Sequence, residues 1–253
     1  MSGKSAVFFC GHGSRDPEAR LEFETLMDRL REKLPARPVG YGFLEFAKPD
    51  IGEGLEELRR RGAERIAVLP LTLFEGGHAL NDIPALLRAF EAANPGLALR
   101  YGQAFGIETK LLKIAADRIR KAMEDAAAVQ PRETFLLFVA RGAREAEVGR
   151  QAVEMADRLK AEFGFMAALA AFNGLAEPSV EAGLREAARS GAKCVLVVPY
   201  FLFTGKLLKE LHAKTKAAAA KNADVAFHVT GHLAGHPLLE EFLLDRVGEL
   251  AGD

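Results

Sequence analysis

Cysteine is scarce: the chain has two, Cys10 and Cys194, both inside apolar, strand-like runs. A disulfide framework is therefore excluded, and two buried core thiols in a reduced, cytoplasmic protein are expected. Charge of one sign is missing too. Lys and Arg number 34 against 35 Asp and Glu, a formal balance of −1, so no global field draws the chain to nucleic acid. No apolar run approaches the roughly 20 residues that span a bilayer, so no membrane partner is expected. The opening MSGKSAVFFCGHG lacks the apolar stretch and cleavage site of a signal peptide. Pro/Gly-rich linkers and low-complexity tracts are absent, apart from HAKTKAAAAKNA, which reads as a solvated helix. What is there is an ordinary globular composition over 253 residues, enough for one large or two small domains.

A duplication organises the chain. RRRGAERIAVLPLTLFEGG in the first half answers ARSGAKCVLVVPYFLFTGK in the second, at a constant offset of 129 residues, the spacing of Pro70 and Pro199. The same offset pairs Pro49 with Pro178, His12 with Arg141, Gly102 with Gly231 and Gly106 with Gly235. So long a period indicates a duplicated domain rather than a solenoid. Residues 1–128 and 129–253 are the two expected domains, joined near DAAAVQPRET at 125–134.

Each copy has the same order of elements. A strand (6–10, 135–139) leads into a helix whose apolar residues, Ala19, Phe23, Leu26, Met27, Leu30 and Leu34, recur at helical spacing. Asp16 is a natural N-cap, with Pro17 at the first helical position. The reading continues with a strand (38–46, 166–175) and a helix (50–61, 179–190) ending at Gly62 or Gly191. RIAVLPLTL and CVLVVPYFL read as strands buried on both faces. A helix (79–93, 206–221), a strand (97–102, 225–230) and a last helix (108–127, 237–250) complete each copy. Strands alternating with helices imply an α/β fold of two four-stranded, mostly parallel sheets flanked by helices. Open α/β sheets bind ligands at the carboxyl ends of their strands, which places the expected site in a cleft between the two domains.

Three polar residues stand at such ends in the first copy. His12 follows the first strand between two glycines, Glu45 ends the second in GFLEFAKP, and His78 follows the third behind Gly76 and Gly77. Imidazole and carboxylate are common ligands of divalent first-row metals and suit proton transfer near neutral pH. The duplication is an internal control. At the constant offset His12 becomes Arg141, Glu45 becomes Gly174 and His78 becomes Leu207. All three candidates vanish together while strands and turns persist, as a scaffold with one retained site requires. His232 also stands at a strand end and is a further candidate, whereas His236, just before Pro237, reads as the start of a helix.

GHGSRDPEA, FLEFAKP, GAERIAVLPLTLFEGGHALNDIP and LAEPSVEAGLREAARSGAKCVLVVPYFLFTGKLLK together resemble the sirohydrochlorin cobaltochelatase family, class II chelatases that include sirohydrochlorin ferrochelatases. The resemblance covers essentially the whole chain and is to the long, two-repeat form. It implies two chelatase-like domains and ATP-independent insertion of Co²⁺ into sirohydrochlorin, with Fe²⁺ or Ni²⁺ as alternative ions. It assigns His12, His78 and, in support, Glu45 to metal and catalysis. The metal is substrate, no organic cofactor is implied, and a monomer is expected because both halves share one chain. The His-rich tract of some members is missing. The carboxylates around such a macrocycle call for cations, so Arg15, Arg141, Lys206 and Lys209 are candidate substrate contacts, together with Ser14 in the GHGS turn.

Two other readings compete. A non-catalytic tetrapyrrole or metal carrier on the same scaffold would bind without turnover. A two-histidine phosphatase would need Arg-His-Gly after the first strand, and Gly11 stands in the arginine position.

Overall fold

The computed structural model describes residues 4–125, 130–174 and 176–252, with the side chains of His78 and Ala79 outside the described residues. The junction expected at 125–134, with its boundary at 128/129, falls largely on 126–129, which also lie outside them.

Two parallel sheets carry the fold. In the first copy β1 (Ser5–Gly11) is followed by α1 (Pro17–Lys33), β2 (Val39–Phe43), α2 (Ile51–Arg60), β3 (Arg65–Pro70), α3 (Ile83–Ala93), β4 (Ala98–Tyr101) and α4 (Thr109–Asp125). The second copy repeats the order: β5 (Thr134–Ala140), α5 (Ala146–Phe163), β6 (Ala167–Phe172), α6 (Val180–Arg189), β7 (Cys194–Pro199), α7 (Lys206–Lys221), β8 (Ala226–Val229) and α8 (Pro237–Ala251). Strand orders are β2-β1-β3-β4 and β6-β5-β7-β8, all pairs parallel.

The central strands are apolar on both faces because helices cover both. Phe8 and Cys10 of β1, Ile66 and Val68 of β3, Leu55 and Leu58 of α2 and Leu87 of α3 form one core. Leu137, Val139, Val195, Val197, Leu184 and Leu211 form its counterpart. Phe8 has no exposed surface, and emptying its site by Phe8→Ala costs about 3–5 kcal/mol. The stripe read along the first helix is buried from Ala19 to Leu30, and its repeat from Val148 to Leu159. Asp16 caps α1 by accepting from the Glu18 amide, with Pro17 in the first turn. Asp50 and Glu53 form a reciprocal capping box on α2, where Ser179 alone caps α6. Both cysteines are buried and free; burial pushes the Cys10 thiol up, and that of Cys194 up to about 11.

The compact units do not follow the repeats. Unit 1 comprises Met1–Gly106 and Ala234–Asp253, unit 2 comprises Ile107–Leu233. Within unit 1, α8 packs on β3 and α1; within unit 2, α4 packs on α5 and β7. Each copy thus gives its last helix to the other copy's sheet. Glu240 of α8 secures the arrangement in unit 1. Its side chain is 9% exposed and takes Lys33 Nζ at 2.7 Å and Arg29 Nη1 at 3.0 Å, both on α1. Burial works against its charge, but the hydrogen bonds from Lys33 and Arg29 more than offset it and hold the carboxyl below its ordinary range. Among the described residues no helix is long and apolar enough to cross a membrane.

Several elements depart from the expected pattern: the third strands end at Pro70 and Pro199 rather than at Leu73 and Leu202, and β6 ends at Phe172. The second strand ends at Phe43 rather than at 46, so Glu45 lies in a turn beyond it. The helix expected from 79 opens with a wide π turn, His78–Asp82, before α3 begins. Such turns concentrate at functional sites.

Candidate metal centre

His12 is delivered by the end of β1, the strand flanked by β2 and β3. Gly11 passes beneath it because a Cβ there would lie 2.8 Å from the Phe23 ring and 2.9 Å from that of Phe43. Gly13 is needed for a stronger reason. Its φ is +92°, and a Cβ would fall 1.7 Å from the Glu45 carbonyl oxygen. The close approach lets the β1–β2 hydrogen bonding continue past the strands: the Leu44 amide donates to Gly11 O at 2.9 Å, and the Glu45 amide to His12 O at 3.0 Å.

This register sets the two side chains side by side. His12 Nδ1 lies 3.8 Å from Glu45 Oε1, with the side chains 27% and 38% exposed. An imidazole nitrogen and a carboxylate oxygen, half-buried and adjacent, suit a divalent ion that must enter and leave. Cys10, two residues before His12, is fully buried, and burial raises its thiol. Among the described residues no group of three or more His, Cys, Asp or Glu side chains forms a metal cluster. The backbone of His78 opens the π turn after β3; its side chain, the third candidate ligand, lies outside the described residues.

Phe46 was absent from the candidates read in the sequence. Its backbone has φ +62°, and the Ala47 amide donates across it to Glu45 O at 2.8 Å, a γ-turn of the rare, strained kind. The ring stands edge-on to His12, centroids 5.9 Å apart at 89°, and the Arg15 guanidinium lies 4.7 Å over it. No signal marked it, since FLEFAKP reads as strand running into a proline loop and the repeat partner, Leu175, is also apolar.

The other candidates are placed as follows. Ser14 Oγ accepts from the Asp16 amide at 3.0 Å and so shapes the start of α1. Arg15 is exposed beside Phe46. Arg141, Lys206, Lys209 and His232 belong to unit 2. Arg141 is exposed just after β5; Lys206 and Lys209 are exposed on the first turn of α7, where Lys206 Nζ lies 3.7 Å from Glu210. The backbone carbonyl of His232 accepts from Arg118 Nε at 2.9 Å. His236 caps α8, its Nδ1 accepting from the Leu238 amide, in keeping with its reading as a helix start.

Two parallel α/β sheets in tandem, one with an imidazole and a carboxylate at a strand mouth, define a duplicated α/β protein with a candidate metal site. The CbiX family model matches the chain twice, over residues 6–122 and 135–250. The chain belongs to the CbiX family, and it is a metal chelatase. The sirohydrochlorin ferrochelatase of Priestia megaterium is 30% identical over 245 residues, 97% of this chain and 90% of that protein. The sirohydrochlorin cobaltochelatase of the same organism is 28% identical over 244 residues, 96% of this chain and 79% of that protein. The solved sirohydrochlorin chelatase SirB of Bacillus subtilis subspecies spizizenii, in complex with cobalt, matches with a TM-score of 0.82 at 26% identity over 98% of this chain and 96% of that one. SirB from Bacillus subtilis with Fe³⁺ matches with a TM-score of 0.84 at 27% identity over the same shares.

Proposed function

We propose that the chain inserts Co²⁺ into sirohydrochlorin without ATP. The observation that carries this reading is the adjacent, half-buried pair of His12 Nδ1 and Glu45 Oε1 at the mouth of β1. Residues 1–128 form the repeat that carries the site and 129–253 the repeat that has lost it. Insertion exchanges one divalent ion for two pyrrole protons, so the site must hold a metal loosely and accept protons. His12, Glu45 and His78 hold the ion through few, exchangeable bonds. A neutral imidazole accepts a pyrrole proton near pH 7, and Glu45 orients its neighbour or binds the ion itself. Arg15, Arg141, Lys206 and Lys209 meet substrate carboxylates, with Ser14 and His232 as further contacts. The enzyme works as a monomer in the cytoplasm.

Fe²⁺ is the second reading, favoured by the ferrochelatase relative at 30% identity. Nitrogen and oxygen donors do not by themselves separate the two ions, because affinity follows the ion. Anaerobic incubation of sirohydrochlorin with Co²⁺, Fe²⁺ or Ni²⁺, followed by absorbance, tests both. Wild-type enzyme should turn over many times, fastest with Co²⁺, and His12→Ala and His78→Ala should lose the activity. Wild-type rates in both variants would overturn the site. Stoichiometric binding without turnover would make the protein a carrier.

A further inference from the structure

Phe46 sits where neither backbone conformation nor exposure favours a phenylalanine. A phenylalanine at φ +62° is a backbone outlier, and the hydrogen bond from Ala47 to Glu45 O closes the strained turn around it. Strain of this kind is ordinarily balanced by burying the side chain, yet Phe46 is 51% exposed. A strained backbone and a large ring half in water coincide at this position. Its neighbours are also specific. His12 meets the ring edge-on and the Arg15 guanidinium lies over it. Stacking on an aromatic ring restricts a long, rotamer-rich cation and leaves its N–H edges available for a carboxylate.

The geometry points to Phe46 as a positioning residue for the tetrapyrrole, an inference that rests on the function proposed above. One part of the ring orders Arg15, its edge orders the His12 imidazole, and its exposed surface packs against the flat, apolar body of the macrocycle. Substrate carboxylate, macrocycle face and metal ligand are thereby set by one side chain on the turn that also holds Glu45. Leu175, the residue at this position of the second repeat, has the apolar character without the ring.

The test uses Phe46→Gly, Phe46→Leu and Phe46→Tyr in the full chain. Metallation kinetics, thermal unfolding and a titration of sirohydrochlorin fluorescence without metal are measured for each. Glycine removes the ring and the strain together, so Phe46→Gly should keep or raise the wild-type Tm while KM and Kd for sirohydrochlorin rise about tenfold. Phe46→Leu should show the same binding loss, and Phe46→Tyr should restore wild-type values. Combining Phe46→Leu with Arg15→Ala should cost less than the product of the two single losses, because the carboxylate contact is counted in both; full additivity would overturn the link between Phe46 and Arg15. Unchanged KM and Kd in the glycine and leucine variants would overturn the inference. So would a fall in Tm that accompanies the binding loss, the mark of a structural role. If wild-type enzyme binds sirohydrochlorin but metallates nothing, the proposed reaction fails and the Kd ratios still decide the role of Phe46. If it binds no sirohydrochlorin, both fail.

Discussion

The turns that leave the two sheets differ where the chain could most easily have kept them alike. After β1 come His12 and a glycine forced to φ +92°; after β5 come Arg141 and Gly142 at the matching positions. Beside the first turn, Leu44 and Glu45 continue from β2. Beside the second, Asn173 and Gly174 continue from β6, and Asn173 Nδ2 donates to Leu207 O at 3.0 Å. That bond ties the β6 end to the start of α7, which is a regular α-helix from Lys206. At the equivalent place in the first copy the chain takes the wide π turn at His78–Asp82. One copy has placed polar groups where they can meet an ion; the other has used its buried polar group to fasten its own backbone. On the function proposed above, the duplicated fold separates reactivity from rigidity, each copy specialising in one.

Substitutions at paired positions of the two copies break the comparison most directly. His12→Ala should lower kcat/KM for metallation by about 10²–10⁴, with unfolding little changed, because the turn itself does not require the imidazole. Arg141→Ala, its counterpart, should leave kcat within about threefold and act on KM. Glu45→Gly, which copies Gly174, should cost about 10–100-fold in activity or metal affinity. Asn173→Leu, which copies Leu44, should destabilise by about 1 kcal/mol in denaturant titration, by removing the bond that ties the β6 end to the first turn of α7. Glu240→Leu copies Leu111 of α4 and should cost about 1 kcal/mol at pH 7, a modest value because Arg29 and Lys33 remain half-exposed. The Glu240 carboxyl titrates below its unfolded value, so its stabilisation is full above the ordinary carboxylate pKa and fades as pH falls through the depressed one. Wild type and Glu240→Leu should therefore converge in Tm in acid; a gap that widened there would contradict the sign.

Much of this was legible in the residues. Continuous apolar runs such as AVFFC and RIAVLP have one good reading, a strand covered on both faces, and they fall within β1 and β3. The proximity of His12 and Glu45 also follows from pattern, because neighbouring parallel strands end together. The helix exchange was not legible. The apolar stripe of an amphipathic helix says that it packs on a sheet and does not say which, so α4 and α8 read as closing their own copies. The conformation of Phe46 was hidden for a related reason. Its φ is set by how the turn after β2 meets Gly13, a contact between segments 30 or so residues apart. The π turn similarly depends on how the loop after β3 is held rather than on local propensity.

The exchanged helices also set an order of events during synthesis. Unit 2 is one uninterrupted stretch, Ile107–Leu233, and can close as soon as that stretch has left the ribosome. Unit 1 cannot, because β3 and α1 wait for α8, made after everything else they touch. The half that holds His12 and Glu45 is therefore the first to be translated and the last to be completed. A nascent chain shows the cell the half without these two side chains folded before the half that holds them has set.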